Sequence, residues 1–108
     1  MEASLLPRFG LEVRPDRARA VLVISGELDL ATAPAVGEAL DELWQLGWSE
    51  VVLDLAAVSF VDSTGLGTLL ALFDAAESDG RQLAVGTTCP SLERLLTVSG
   101  LAHAVPRS

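Results

Sequence analysis

The residues in this chain best placed to do chemistry are Asp62-Ser63-Thr64-Gly65-Leu66-Gly67. They follow an apolar run, Val51–Leu55, and open an amphipathic stretch, so a loop delivers them to the start of a helix. A hydroxyl there sits among unpaired backbone N–H groups at the positive end of a helix dipole, a place suited to a phosphate. Helix capping alone accounts for the Asp or the Ser. It does not account for two glycines in a first turn, each of which costs up to about 1 kcal/mol relative to Ala. Glycines so placed predict that another molecule approaches the backbone closely.

What Ser63 does depends on its partners. A serine nucleophile needs a nearby base, and the single histidine, His103, stands beyond the last expected helix. The G-x-S-x-G pattern is also absent around Ser63. A serine that is itself a substrate needs exposure and no base of its own, because base and nucleotide then belong to a kinase. Asp54 on the strand Val51–Leu55 invites a different phosphoacceptor, the aspartate of a receiver domain. That site requires an acidic pair after the first strand and a lysine after a later one. The chain has no lysine, and nothing acidic follows Val21–Ile24 until Glu27. Asp54 is therefore expected to bond locally or to lie near an exposed edge. Neither Gly37 nor Gly65-Leu66-Gly67 completes a dinucleotide fingerprint or a P-loop. The lone cysteine, Cys89, excludes an intrachain disulfide and a multi-thiolate zinc site, and reads as a small buried hydrophobe. No cofactor is expected.

A second polar cluster is Gly26-Glu27-Leu28-Asp29. It leaves a strand whose end lies beside that of Val51–Leu55, and loops at one end of parallel strands gather together. Asp29 and Ser63 are thus expected to share a surface, against the plainer reading of an ordinary turn with Thr32 as helix cap. Trp44 and Trp48 flank Gly47 and are expected to pack where a helix meets the next strand, without a ligand.

These residues need a scaffold, and the composition supplies one. At 108 residues and 50% apolar, the chain is expected to form one domain with a well-formed core. A net charge of −8 argues against nucleic acid, whose phosphates would be repelled. The basic residues are all arginines, scattered without a stripe. The N-terminal stretch lacks the pattern of a signal peptide, and no apolar run approaches the ~20 residues that span a bilayer. A cytoplasmic protein without a membrane span is the expectation.

Residues 1–10 read as a loose arm or short edge strand, and residues 11–108 as the domain. Leu11–Arg14 alternates like a half-buried strand, with Pro15-Asp16 opening a turn. Val21–Ile24 suits a strand covered on both faces, and Ser25–Leu30 leaves it. Thr32 is placed to cap a helix with Pro34 in its first turn and Val36, Leu40 and Leu43 on its inner face, ended by Gly47. Val51–Leu55 is the next buried strand. The helix after Ser63 buries Leu66, Leu69, Leu70 and Phe73, and Asp79-Gly80 stops it. Gln82–Val85 is a strand. Pro90 opens a short helix with Leu92, Leu95 and Leu96 inward and Gly100 as its cap, and Leu101–Val105 reads as a last edge strand. Alternation of this kind gives parallel pairs with right-handed crossovers behind an antiparallel opening hairpin.

At Gly26-Glu27-Leu28-Asp29 with its nearby Thr-Ala, and at Asp62-Ser63-Thr64-Gly65-Leu66-Gly67, the chain resembles the STAS family, and most of all the bacterial anti-sigma factor antagonists. The likeness runs from the first hairpin to Val98-Ser99-Gly100-Leu101. It implies an α/β STAS fold: a small mixed sheet of four to five strands with helices mainly on one face. It implies a non-catalytic protein that binds a serine-kinase anti-sigma factor and so frees a sigma factor. The kinase would phosphorylate Ser63 and end the binding, and a phosphoserine phosphatase would restore it. Asp29, Asp62, Ser63, Thr64 and Gly65 would carry the partner contact, with Thr64 as a weaker acceptor whose hydroxyl is turned inward. The alternative is a STAS module serving as a non-catalytic subunit of another assembly, such as a lipid-transport ATPase complex or a stress-signalling scaffold.

Overall fold

Alternation along the strands decides which face of the sheet closes. Ala20, Leu22 and Ile24 on one strand, Val51, Leu53 and Leu55 on the next, and Leu83 and Val85 on a third are all buried, and register sets them side by side. The computed structural model describes residues 8–108. Its elements are β1 (Gly10–Asp16), β2 (Arg19–Leu28), α1 (Ala33–Gln45), β3 (Glu50–Val61), α2 (Ser63–Ser78), β4 (Gln82–Val85) and α3 (Pro90–Ser99), followed by a 3-10 turn at Ala102–Ala104. The sheet has the order β1-β2-β3-β4, with β1 antiparallel to β2 and the remaining pairs parallel. Right-handed crossovers from β2 to β3 and from β3 to β4 put α1 and α2 on the same face. Val36, Leu40 and Leu43 of α1, Leu66, Leu69 and Phe73 of α2, and Leu92 and Leu96 of α3 join the strand residues in one core.

Several expectations need correction. β2 and β3 run past the predicted ends, to Leu28 and Val61, because they keep pairing through two register shifts between Val23 and Glu27. Gly26 takes φ +91° at this irregularity, a backbone region that L side chains avoid. Residues Ser25–Leu28 therefore belong to the sheet and not to the loop. The far face stays partly open: Val21 and Val23 are only half-buried, so β2 is closed on one side. Leu11 and Val13 on the edge strand β1 are exposed. Pro15 and Asp16 end this strand and do not form the turn, which falls at Arg17 with φ 61°.

No strand forms over Leu101–Val105. After the 3-10 turn, the C-terminal tail instead lays Arg107 beside Val85 in a single parallel bridge, with hydrogen bonds from Val85 N to Pro106 O and from Ser108 N to Val85 O. Other expectations hold. Cys89 is buried, Asp54 Oδ1 accepts from Ala56 N, and Trp44 and Trp48 are half-buried, with the Arg81 guanidinium stacked on the Trp44 ring at 5.3 Å. Of the arm predicted over residues 1–10, residues 1–7 lie outside those described. Gly10 begins β1.

Candidate functional site

β2 and β3 end side by side, with Leu28 opposite Val61, and each then enters a loop that opens a helix. The two loops therefore emerge at one end of the sheet. They are tied together by Asp62 N, which donates to Leu28 O at 3.3 Å.

After β3, Asp62 leaves the strand in an extended conformation and is the N-cap of α2. Its Oδ1 accepts from Gly65 N at 2.7 Å, and Leu66 N closes the first helical bond onto Asp62 O. Asp62 is thus the capping residue, which leaves Ser63 as the first residue of the helix. The Ser63 side chain is exposed and makes no hydrogen bond among the described residues, and the same holds for the N–H groups of Ser63 and Thr64. Thr64 is also exposed, and not turned inward as expected, because the inward positions of this turn are taken by Gly65 and Leu66.

Gly65 has a reason internal to the molecule. A Cβ added there would overlap the carbonyl oxygen of Leu28, so β2 and α2 approach as closely as only glycine permits. This corrects the expectation that another molecule explains both glycines. Only Gly67, which faces open space, is left without an internal reason.

After β2, Asp29 is drawn into its own loop. Its Oδ1 accepts from Ala31 N at 3.0 Å and from Thr32 N at 3.1 Å. Thr32 stands at the N-cap position of α1 but does not cap it with its side chain. Its hydroxyl turns back instead, taking Asp29 N–H and donating to Glu27 O at 2.7 Å.

Beside Ser63 lies an apolar groove of about 380 Å³. Phe60, Val61, Asp62 and Ser63 form one wall, and Ser91, Arg94, Leu95 and Val98 of α3 form the other. The α3 residues fall at i, i+3, i+4, i+7, one stripe of the helix. Ser91 Oγ fixes this wall by accepting from Val61 N at 2.8 Å. Phe60 is 49% exposed and Val98 81%, large apolar side chains left to solvent on either side of the groove.

A family model described as STAS domain matches residues 11–107. The chain belongs to the STAS family. Over 101 residues this STAS chain is 36% identical to an anti-sigma F factor antagonist of Paenibacillus polymyxa, covering 91% of the chain and 86% of that relative. An anti-sigma-B factor antagonist of Staphylococcus epidermidis is 35% identical over 78 residues, 72% of each chain. The crystal structure of an anti-sigma factor antagonist from Mycobacterium paratuberculosis superposes with a TM-score of 0.73 at 27% identity, over 93% of this chain and 85% of that one. The four-stranded mixed sheet with three helices is the STAS fold.

Within this STAS site, Ser63, Thr64 and Gly65 share one helical turn under the Asp62 cap, and Asp29 occupies the neighbouring loop. Asp29 is not among the residues that line the groove. The α3 wall was missed from sequence. Its signal is Val98, an apolar residue outside the buried stripe of Leu92 and Leu96, at i+4 from Arg94 on the face turned to the groove.

Proposed function

We propose that this chain is an anti-sigma factor antagonist acting in the cytoplasm, which docks on a serine-kinase anti-sigma factor through the Ser63 end of the sheet and so frees a sigma factor. Asp62, Ser63, Thr64 and Gly65 form the centre of the contact, with Asp29 shaping the adjoining loop. The observation that carries this reading is the unengaged, exposed Ser63 hydroxyl at the first residue of α2, beside an open apolar groove. The names of its relatives supply the partner class.

Phosphorylation of Ser63 ends the contact. The γ-phosphoryl group of ATP passes to Ser63 Oγ, the new O–P bond replaces the bond to the β-phosphate oxygen, and ADP leaves. The hydroxyl proton goes to a base of the kinase. The modified residue carries about −1.5 to −2 charges beside Asp62. Placed against a partner, that charge loses water. A like-charge contact at ~4 Å is worth on the order of 4 kcal/mol near a protein surface. A phosphoserine phosphatase reverses the step.

The test is incubation of the full chain with a kinase-type anti-sigma factor and ATP, read by intact mass. One phosphate is expected on the wild-type chain and none on Ser63→Ala, which should still bind the partner. Phosphate incorporated into Ser63→Ala and mapped to Thr64 or Ser59 contradicts the assignment.

A further inference from the structure

Among the described residues Arg94 has no partner. Arg14, Arg19, Arg81 and Arg107 each lie within 4.0 Å of a carboxylate, whereas Arg8, Arg17 and Arg94 form no ion pair among the described residues, and of these three only Arg94 lines the groove. It is exposed on α3, in the wall of the groove that also holds Ser63. Its neighbour Glu93 offers it nothing, because that carboxylate is bonded to Arg107 and to the Thr88 hydroxyl at 2.7 Å. The groove's one carboxylate, Asp62, has its Oδ1 committed to Gly65 N–H.

A guanidinium is a planar fork of donors that matches phosphate oxygens in pairs, and bonds of this charged kind are roughly twice as strong as neutral ones. An unengaged guanidinium and an unengaged serine hydroxyl therefore line one solvent-open groove with apolar walls. We propose that Arg94 is the counter-ion of a phosphate on Ser63, bridging α2 to α3 across the groove. The proposal rests on Ser63 being the modified residue. Its consequence is that phosphorylation does more than add charge: the bridge lies over the apolar walls at Phe60 and Val98 and removes them from a docking partner.

The experiment encodes phosphoserine at position 63 of the full chain during translation, so that no kinase is needed, and follows its second ionisation by 31P NMR. That ionisation ordinarily falls near pH 6. An adjacent guanidinium favours the doubly charged form. It should therefore lie lower in the wild-type chain, by about half a pH unit or more. Arg94→Gln should raise it by the same amount, and Arg94→Lys, which keeps the charge without the fork, should fall between the two. Equal values in wild type and Arg94→Gln overturn the bridge, and so does Arg94→Lys matching Arg94→Gln. Arg94 is exposed, so both variants should keep the wild-type circular dichroism spectrum. Failure of a kinase to label Ser63 would sink the reading of the site and would leave the NMR result standing by itself.

Discussion

The two loops at the end of the sheet are built from similar parts and do opposite jobs. Each follows a parallel strand, carries an aspartate and leads into a helix. In the β2–α1 loop the polar groups are consumed: the Asp29 carboxylate holds two backbone donors, and the Thr32 hydroxyl is bonded on both sides. In the β3–α2 loop the aspartate is also consumed, by the cap, but the next residue is left over. A residue that completes the backbone's hydrogen bonds builds the site, and one that the backbone does not need is free to be presented. Ser63 is of the second kind and Asp29 of the first.

The contrast can be broken most severely at Gly65. Gly65→Ala drives a methyl group into the Leu28 carbonyl that locks the two loops, and should cost about 3 kcal/mol in urea unfolding. Gly67→Ala meets nothing and gains helix propensity, so it should stabilise by up to about 1 kcal/mol. Equal effects at the two glycines would show that the loops are not locked. Next in size is Asp29→Ala, expected to cost about 1–2 kcal/mol through lost loop hydrogen bonds, with Asp29→Asn recovering part by keeping an acceptor oxygen. Ser63→Ala should stay within about 0.5 kcal/mol of wild type. An Asp29→Ala chain as stable as Ser63→Ala would erase the distinction drawn between the loops.

A small, pH-dependent effect concerns Glu93, on α3 but outside the groove. Arg107, through its hydrogen bond, and then Thr88 hold the Glu93 carboxyl below its ordinary value of 4.5, against a smaller opposing effect of burial. A folded-state value below the unfolded one adds stability that is present above about pH 4.5 and is lost as pH falls through the lowered value. The pair is well exposed, so the increment should be under about 1 kcal/mol. Thermal melts of Glu93→Gln should lie slightly below wild type at pH 7 and converge with it near pH 3. A gap that persists at pH 3 would show that Glu93 acts through packing.

Much of this was legible in the sequence, for physical reasons that differ by element. The helix stripes at Val36, Leu40 and Leu43 and at Leu66, Leu69 and Phe73 follow from period alone. Gln82–Val85 was read to the residue because Gly80 and Gly86 bracket it. The strand ends were not legible, since pairing through Ser25–Leu28 and Ala56–Val61 depends on a neighbour that propensity does not see. The final edge strand was misread because Leu101–Val105 is apolar enough for a strand, but the chain turns there and the tail reaches β4 only at residues 106–108. At the site, Asp62-Ser63 stood out by type. The cause of Gly65 did not, because Leu28 is far away along the chain, and nor did the α3 wall, which only tertiary packing brings to Ser63.

The central claim is that a phosphate on Ser63 switches binding without switching the fold. The most direct test titrates a kinase-type anti-sigma factor against unmodified and Ser63-phosphorylated chain, with amide exchange followed on both. Phosphorylation should weaken binding by roughly a hundredfold to a thousandfold, the equivalent of about 3–4 kcal/mol. Exchange should change only around Ser63 and the facing wall of α3. Unchanged affinity, or exchange changes spread through Val21–Ile24 and Val51–Leu55, would contradict a local switch.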